Sequence, residues 1–285
     1  MGKIAVLGSS GQIGSHLVTY LNNKGYNAIG YDWVPSETTI HKRDLSNISH
    51  FNKDSIHDYD FIFFLAFDAG GSRYLGKYQH TYKFTSNNVK LMSNVFDAIS
   101  GANVPTIFTS SQMSNMTFSP YGLQKQLGEL YTRILNHITV KFWNVYGVEH
   151  DEEKSHVITD FINKAKTDKR IDMLTDGTEQ RQFLYADDCC EGLEAIMLNY
   201  DSIDRDKPLH ITNFEWTTIL DVANTVASYF PDCTIHSCDA KDMVQQNKRN
   251  EPDPYIKKYW EPKTNLHNGI GKIINAMENS CTPSE

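Results

Sequence analysis

The stretch Lys3-Ile4-Ala5-Val6-Leu7-Gly8-Ser9-Ser10-Gly11-Gln12-Ile13-Gly14 decides the fold. Lys3 to Leu7 is a short apolar run that reads as a buried strand. Ile13 to Asn23 has helical spacing and stops near Gly25. Between them lies a glycine-rich turn, Gly8-x-x-Gly11-x-x-Gly14. Such a turn lets the backbone come close to a pyrophosphate, and the following helix offers free N–H groups and a positive dipole end. The three-residue spacing differs from the Gly-x-Gly-x-x-Gly of many dehydrogenases. Its place between a strand and a helix is what raises it above a tight structural turn. Gly8, Gly11, Gln12, Ile13 and Gly14 are therefore candidate cofactor contacts.

Working outward, Asn27 to Tyr31 reads as a second strand that ends at Asp32, eighteen positions after Gly14. An acidic residue there takes the hydroxyls of an adenosine ribose and repels a 2′-phosphate, so NAD is favoured over NADP. The alternative for Asp32 is a turn carboxylate. Asp44 and Leu45 are weaker candidates for flanking the adenine. Phe61 to Ala66 and Thr106 to Ser110 read as further strands, as does Thr139 to Phe142. Asn87 to Ile99 and Tyr121 to Asn136 read as helices. This alternation predicts a Rossmann-type α/β fold, a doubly wound parallel sheet with helices on both faces.

After Gly147 the pattern loosens. Val157, Ile158, Phe161, Ile162 and Ala165 share a helical face, and helices are expected over Asp187–Asn199, Thr217–Phe230 and Leu266–Met277. Leu209 to Ile211 reads as a short strand returned to the main sheet, and Lys248 to Pro262 as mostly loop. The expected division is a cofactor-binding part, 1–147, and a smaller C-terminal α/β substrate-binding subdomain, 148–285.

Composition excludes several classes. The net charge of −8 comes with no basic tract, which disfavours nucleic acid as a partner. No apolar run approaches the roughly 20 residues of a membrane span, and no segment resembles a signal peptide. The five cysteines have neither zinc nor thioredoxin-like spacing, and the histidines show no metal pairing. Reduced thiols and a cytoplasmic location are expected.

Tyr121 and Lys125 are four apart at the start of a helix, so both point to one face. A phenol with an ordinary pKa near 10 is a poor base at neutral pH; a neighbouring ammonium and an oxidised nicotinamide both favour its phenolate. Ser111, just after the preceding strand, is placed to share a hydrogen bond with a sugar hydroxyl.

These landmarks resemble the extended short-chain dehydrogenase/reductase family, the nucleotide-sugar epimerases and dehydratases. The resemblance rests on Gly8–Gly14, Leu65-Ala66, Asn87-Asn88, Ser110-Ser111, Tyr121–Lys125, Asn144-Val145-Tyr146-Gly147, Arg181-Gln182-Phe183 with Asp187-Asp188, and Trp260-Glu261-Pro262. It implies Ser111, Tyr121 and Lys125 as the catalytic set, Ala66 beside the cofactor, and a nucleotide diphosphate-sugar as substrate. It also implies Asn144, Arg181 and Arg249 as substrate ligands, and a homodimer formed through two helices of each subunit. For Arg181 the alternative is a surface ion pair.

Within the family, 4,6-dehydratases carry an Asp-Glu pair after the catalytic serine; this chain has Gln112-Met113, which cannot ionise. GDP-mannose 3,5-epimerases and GDP-fucose synthases carry a cysteine where Met113 stands. Other segments resemble those groups: Asp68-Ala69-Gly70-Gly71, Lys154, and Ser155-His156-Val157-Ile158. His156 reads either as a proton donor or as a helix-start residue whose ring packs or meets water. Lys154 reads first as a solvated charge among Asp151, Glu152 and Glu153. The simplest chemistry that fits is 4-epimerisation. A single 3- or 5-epimerisation or a keto-sugar reduction is the alternative, and a non-catalytic NAD- or sugar-nucleotide-binding protein a third.

Overall fold

The computed structural model describes residues 2–47, 56–149, 151–242 and 250–279. Strand β1 (Lys3–Leu7) leads into α1 (Gln12–Asn23), β2 (Asn27–Asp32), β3 (His41–Lys42) and β4 (Phe61–Phe64). Helices α2 (Ser72–Tyr78) and α3 (Tyr82–Ser100) precede β5 (Thr106–Ser111), α4 (Pro120–Ile134) and β6 (Ile138–Phe142). Then come β7 (Asn144–Tyr146), α5 (Val157–Asp168), β8 (Arg170–Asp172), β9 (Gln180–Arg181), β10 (Phe183–Tyr185) and α6 (Ala186–Leu198). The chain closes with β11 (Leu209–Ile211), β12 (Thr217–Thr218), α7 (Ile219–Ala227), β13 (Thr234–His236) and α8 (Leu266–Asn279).

Seven strands form one parallel sheet in the order β11-β6-β5-β4-β1-β2-β3. All four residues of β4, and four of the five in β1, are buried, because helices cover both faces. On one face α1 and α6 pack together, and Leu17, Leu21, Cys189, Cys190, Leu193 and Ile196 meet Val6, Phe63 and Val140. On the other, Met92, Val95, Phe96 and Ile99 of α3 meet Leu7, Phe64 and Phe108, with Leu127 and Tyr131 of α4 alongside. The sheet winds outward in two directions from β1 and β4. The crevice at their carboxyl ends is where such sheets hold ligands.

A third core joins α5, α7 and α8 through Ile158, Phe161, Ile162, Val222, Val226, Ile270 and Ile273. Three small pairs surround it: β7 with β10, β9 with β12, and β8 with β13. The expected helix over Thr217–Phe230 is shorter than its sequence pattern: Thr217 and Thr218 pair with Arg181 and Gln180 instead, and Thr218 caps α7 by accepting from Asp221 N. The strand read over Phe61–Ala66 ends at Phe64, where Leu65 and Ala66 turn against Gly8.

Candidate active site

The glycine turn is shaped by contact. Gly8 N and Ser9 N both donate to Tyr31 O, at 2.8 and 3.2 Å, drawing the turn over the end of β2. A Cβ on Gly14 would lie 2.0 Å from Gly8 O, so α1 can approach the turn only without a side chain there. Gly11 is the N-cap of α1. It provides no side-chain cap, and no acidic residue stands in the first turn. The helix end keeps its N–H groups and its positive dipole for an outside anion. Gln12 Nε2 is buried with no hydrogen-bond partner among the described residues.

Asp32 is 8% exposed at the end of β2, and its carboxylate accepts from Ser10 N and Val34 N, each at 3.0 Å. Those bonds fix it at the mouth of the crevice. These residues fit a dinucleotide: a cradle only glycine permits, an uncapped helix end, an amide nitrogen without a partner among the described residues and a carboxylate at the end of β2. Asp44 is engaged locally, accepting from Ser46 N and Ser46 Oγ at 2.9 and 2.7 Å. Leu45 is buried in the core, where its carbonyl accepts from Asn94. Ala66 backs directly on Gly8.

Ser111 ends β5, and its Oγ caps the 3-10 turn Gln112–Asn115 by accepting from Met113 N at 3.1 Å. Ser119 caps α4 by accepting from Gly122 N, and Pro120 opens the helix, where a missing N–H costs nothing. Tyr121 and Lys125 then lie one turn apart. The Ser111 hydroxyl stands close enough to the Tyr121 phenol to favour its ionised form. Lys125, 3% exposed, donates to Thr109 O at 2.8 Å, and its Nζ stands 3.8 Å from the centre of the Phe67 ring, which packs edge-on against Tyr121. Burial pushes the Tyr121 phenol up to about 12, against the pull of the Ser111 hydroxyl. Burial pushes the Lys125 ammonium down to about 7, with Glu129 opposing. In the protein alone, then, desolvation outweighs the help that Ser111 gives the phenolate.

Gly71, Lys154 and His156 meet at one corner. Gly71 N donates to Lys154 O at 2.9 Å, and a Cβ on Gly71 would lie 2.4 Å from Ser155 O. Lys154 is not merely solvated: its Nζ is 3.0 Å from Asp68 Oδ1, which also accepts from Tyr74 at 2.6 Å. Tyr74 belongs to the apolar cluster that Met113, Met116 and Tyr121 share. His156 is the N-cap of α5, and its Nδ1 is 2.6 Å from Glu149 Oε1 while Glu149 Oε2 accepts from His156 N at 2.9 Å. Burial lowers the imidazole pKa, but the Glu149 bond and charge overcome it and the net shift is upward. Glu149 itself gave no signal in the sequence, having no motif around it.

Asn144 bonds to Gln182 O through both its backbone N and its Nδ2. Arg181 pairs with Asp242 and donates to its neighbour's carbonyl, Gln180 O, at 2.7 Å. Asn144 on β7 thus meets the residue that follows Arg181 of β9. Arg249 lies outside the described residues. Asn250 is described, and its Nδ2 donates to Gln112 O and Gln112 Oε1 at 2.7 and 3.1 Å. Among the described residues no group of three or more His, Cys, Asp or Glu side chains is placed to hold a metal, and no helix is long and apolar enough to cross a membrane.

The seven-stranded parallel sheet and the glycine cradle at its switch point define an extended short-chain dehydrogenase/reductase. The chain belongs to the NAD dependent epimerase/dehydratase family, whose model matches residues 4–212, and it is an NAD-dependent enzyme. It is 24% identical to GDP-mannose 3,5-epimerase 1 of Oryza sativa subsp. indica, over 94% of this chain and 79% of that protein. It is 22% identical to a putative UDP-glucose 4-epimerase of Methanocaldococcus jannaschii, over 97% of this chain and 99% of that protein. Its fold is similar to that of UDP-glucose 4-epimerase of Thermotoga maritima, with a TM-score of 0.80, 18% identity, and 98% and 100% of the two chains covered.

Proposed function

We propose that the protein is a nucleotide-sugar 4-epimerase, with Tyr121 as the base and Ser111 and Lys125 as its partners. The single observation that carries this reading is the junction of β5 and α4. There a phenol, a hydroxyl and a buried ammonium converge, while the two neighbours that would supply other chemistry are Gln112 and Met113. Met113 is 4% exposed in an apolar cluster, and the Gln112 amide oxygen accepts from Asn250. Neither ionises, so elimination of water has no acid or base at that place. Bound NAD supplies the acceptor and donor of hydride, and its oxidised ring carries positive charge.

Gly8, Gly11, Gln12, Ile13 and Gly14 would hold the pyrophosphate and Asp32 the adenosine ribose. Residues 1–147, with α6 and β11 returned to the sheet, would form the cofactor side and the rest of 148–285 the substrate side, with Asn144, Arg181 and Arg249 toward the nucleotide diphosphate. The proton of the sugar 4-hydroxyl passes to Tyr121 Oη as C4 is oxidised, and Ser111 Oγ holds the same oxygen. The 4-keto sugar turns over, and C4 is reduced on its opposite face as Tyr121 returns the proton. No further acid or base is needed. For an Arg181 side chain to grip a phosphate it must exchange out of its pair with Asp242.

The test is incubation with UDP-, GDP-, CDP- and dTDP-sugars in deuterated water, followed by NMR. A 4-epimerase inverts C4 with no carbon-bound deuterium; deuterium at C3 or C5 would sink the proposal.

A second reading has its own observation. The Glu149–His156 pair, with Lys154 and Asp68 beside it, resembles an acid/base site for a single 3- or 5-epimerisation or for a keto-sugar reduction. The relationship to GDP-mannose 3,5-epimerases favours it too. His156→Asn separates the readings: 4-epimerisation expects a modest loss, a general acid a loss on the order of 100-fold. We also propose a cytoplasmic homodimer. Its contact would be the outer face of α3 and α4, where Tyr82, Val89, Leu123, Leu130 and Ile134 are exposed.

A further inference from the structure

Behind Lys125 lies an ionic cluster with no part in the proton transfer itself. Glu129 is one turn further along α4, and its two carboxylate oxygens are divided. Oε1 accepts from Ser110 Oγ at 2.5 Å, and Oε2 lies 3.2 Å from Lys141 Nζ on β6. Lys141 also donates to Ser114 Oγ and Asn115 Oδ1 of the 3-10 turn, at 2.9 and 3.2 Å. The cluster is sheltered: Ser110 is buried, and the Glu129 and Lys141 side chains are 23% and 12% exposed. One carboxylate therefore touches β5 next to Ser111, stands four residues along α4 from Lys125 and acts on it by charge, and is partly neutralised from β6.

The other surroundings of Lys125 offer it no competing charge. On α4 the remaining titratable neighbour is Tyr121. Strand β5 presents the Thr109 carbonyl and the Phe108 ring. The loop after β4 presents Phe67, and the adjacent Asp68 is committed to Lys154 and Tyr74. Helix α3 meets α4 through Thr85, bonded to Gln124, while its Lys83, Lys90 and Asp97 face solvent.

Resting on the catalytic role proposed for Tyr121 and Lys125, we infer that Glu129 is a positioning residue, the counter-charge that keeps Lys125 an ammonium, and that Lys141 competes with Lys125 for that charge. The two substitutions then act in opposite directions. Glu129→Gln removes the negative charge and lets burial drive the lysine further toward neutrality. Lys141→Met frees the carboxylate for Lys125 and removes a like charge. A scaffold role for the cluster has no such sign.

The measurement is the pKa of Lys125, followed by NMR of lysine labelled at Cε in NAD-free and NAD-loaded protein, with the signal assigned by Lys125→Arg. Glu129→Gln is expected to lower it by about one unit and Lys141→Met to raise it. Glu129→Asp should restore the wild-type value in large part. Values that stay put, or move the same way in both variants, overturn the inference. Lys141→Met decides alone if Glu129→Gln does not fold. The catalytic reading is judged separately by Lys125→Met, assayed on the sugar nucleotide of the panel that the wild type converts. An inactive Lys125→Met with unmoved titrations removes the inference only; an active one removes the catalytic reading.

Discussion

Tyr121 and Lys125 are held in a place that suits neither of their charged forms. The phenol is pushed up to about 12 and the ammonium down to about 7, both by burial. The site thus stores an opposition that a positive nicotinamide ring would relieve for the phenol. Tyr121→Phe should lose turnover by at least about 100-fold while retaining NAD, as read by fluorescence titration. Lys125→Met should show the cost of the buried charge. The folded pKa of this base lies below its unfolded value of 10.5, so between about 7 and 10.5 the unfolded chain binds more protons and stability rises with pH. Below about pH 7 the penalty is complete, roughly 5 kcal/mol, less about 1 for the bond to Thr109. The variant should therefore be more stable than wild type at pH 6 in urea, and the gap should close toward pH 10. A gap independent of pH would contradict the burial account. At this scale Ser111, Tyr121 and Lys125 were legible because spacing on one helix and one strand end is a local property. The charge partners were not. Asp68 and Lys141 come from a loop and a strand whose neighbours in space are far away in sequence, and Glu149 meets His156 only through a loop that has no period.

At the scale of elements, the turn between β1 and α1 carries the cofactor site proposed above. Gly14→Ala places a methyl 2.0 Å from Gly8 O, and a shift of α1 is the only relief. Overpacking of this kind costs about 1–3 kcal/mol, and NAD affinity should fall about tenfold or more, measured by calorimetry; unchanged affinity would mean that the turn does not meet the cofactor. Long periodic elements such as α1, α3 and β5 were readable to within a few residues. The two- and three-residue strands β7 to β10 were not, since three residues hold no period and only their partners define them. Helix α2 was also silent. Its buried residues are just Tyr74 and Leu75, too few for an apolar stripe.

For the whole molecule, the strand order follows from connections that alternate strand and helix, which is why the sheet could be anticipated and its seventh member, β11, placed. The apolar row Leu123, Leu130 and Ile134 on α4 has no cover among the described residues. Ile134 is 68% exposed at the carboxyl end of α4, while Tyr82 and Val89 of the neighbouring α3 are exposed nearer the start of the helix pair, where Thr85 meets Gln124. Ile134→Glu should convert a dimer to a monomer in analytical ultracentrifugation at micromolar concentration, with NAD binding kept. A wild-type protein that sediments as a monomer would remove the homodimer. Gln182 lies beside two exits from the sheet, past the carboxyl ends of the parallel strands β6 and β11: its carbonyl accepts from Asn144 N and its Oε1 from Thr212 Oγ1 at 2.8 Å. The two exits are thus stitched side by side rather than joined by a loose tether. Cutting the gene at Trp143 would strip β6 of its outer neighbour and leave a bare, adhesive sheet margin. The piece carrying the glycine turn should then clump when made alone, and the two halves should have to be produced as one polypeptide.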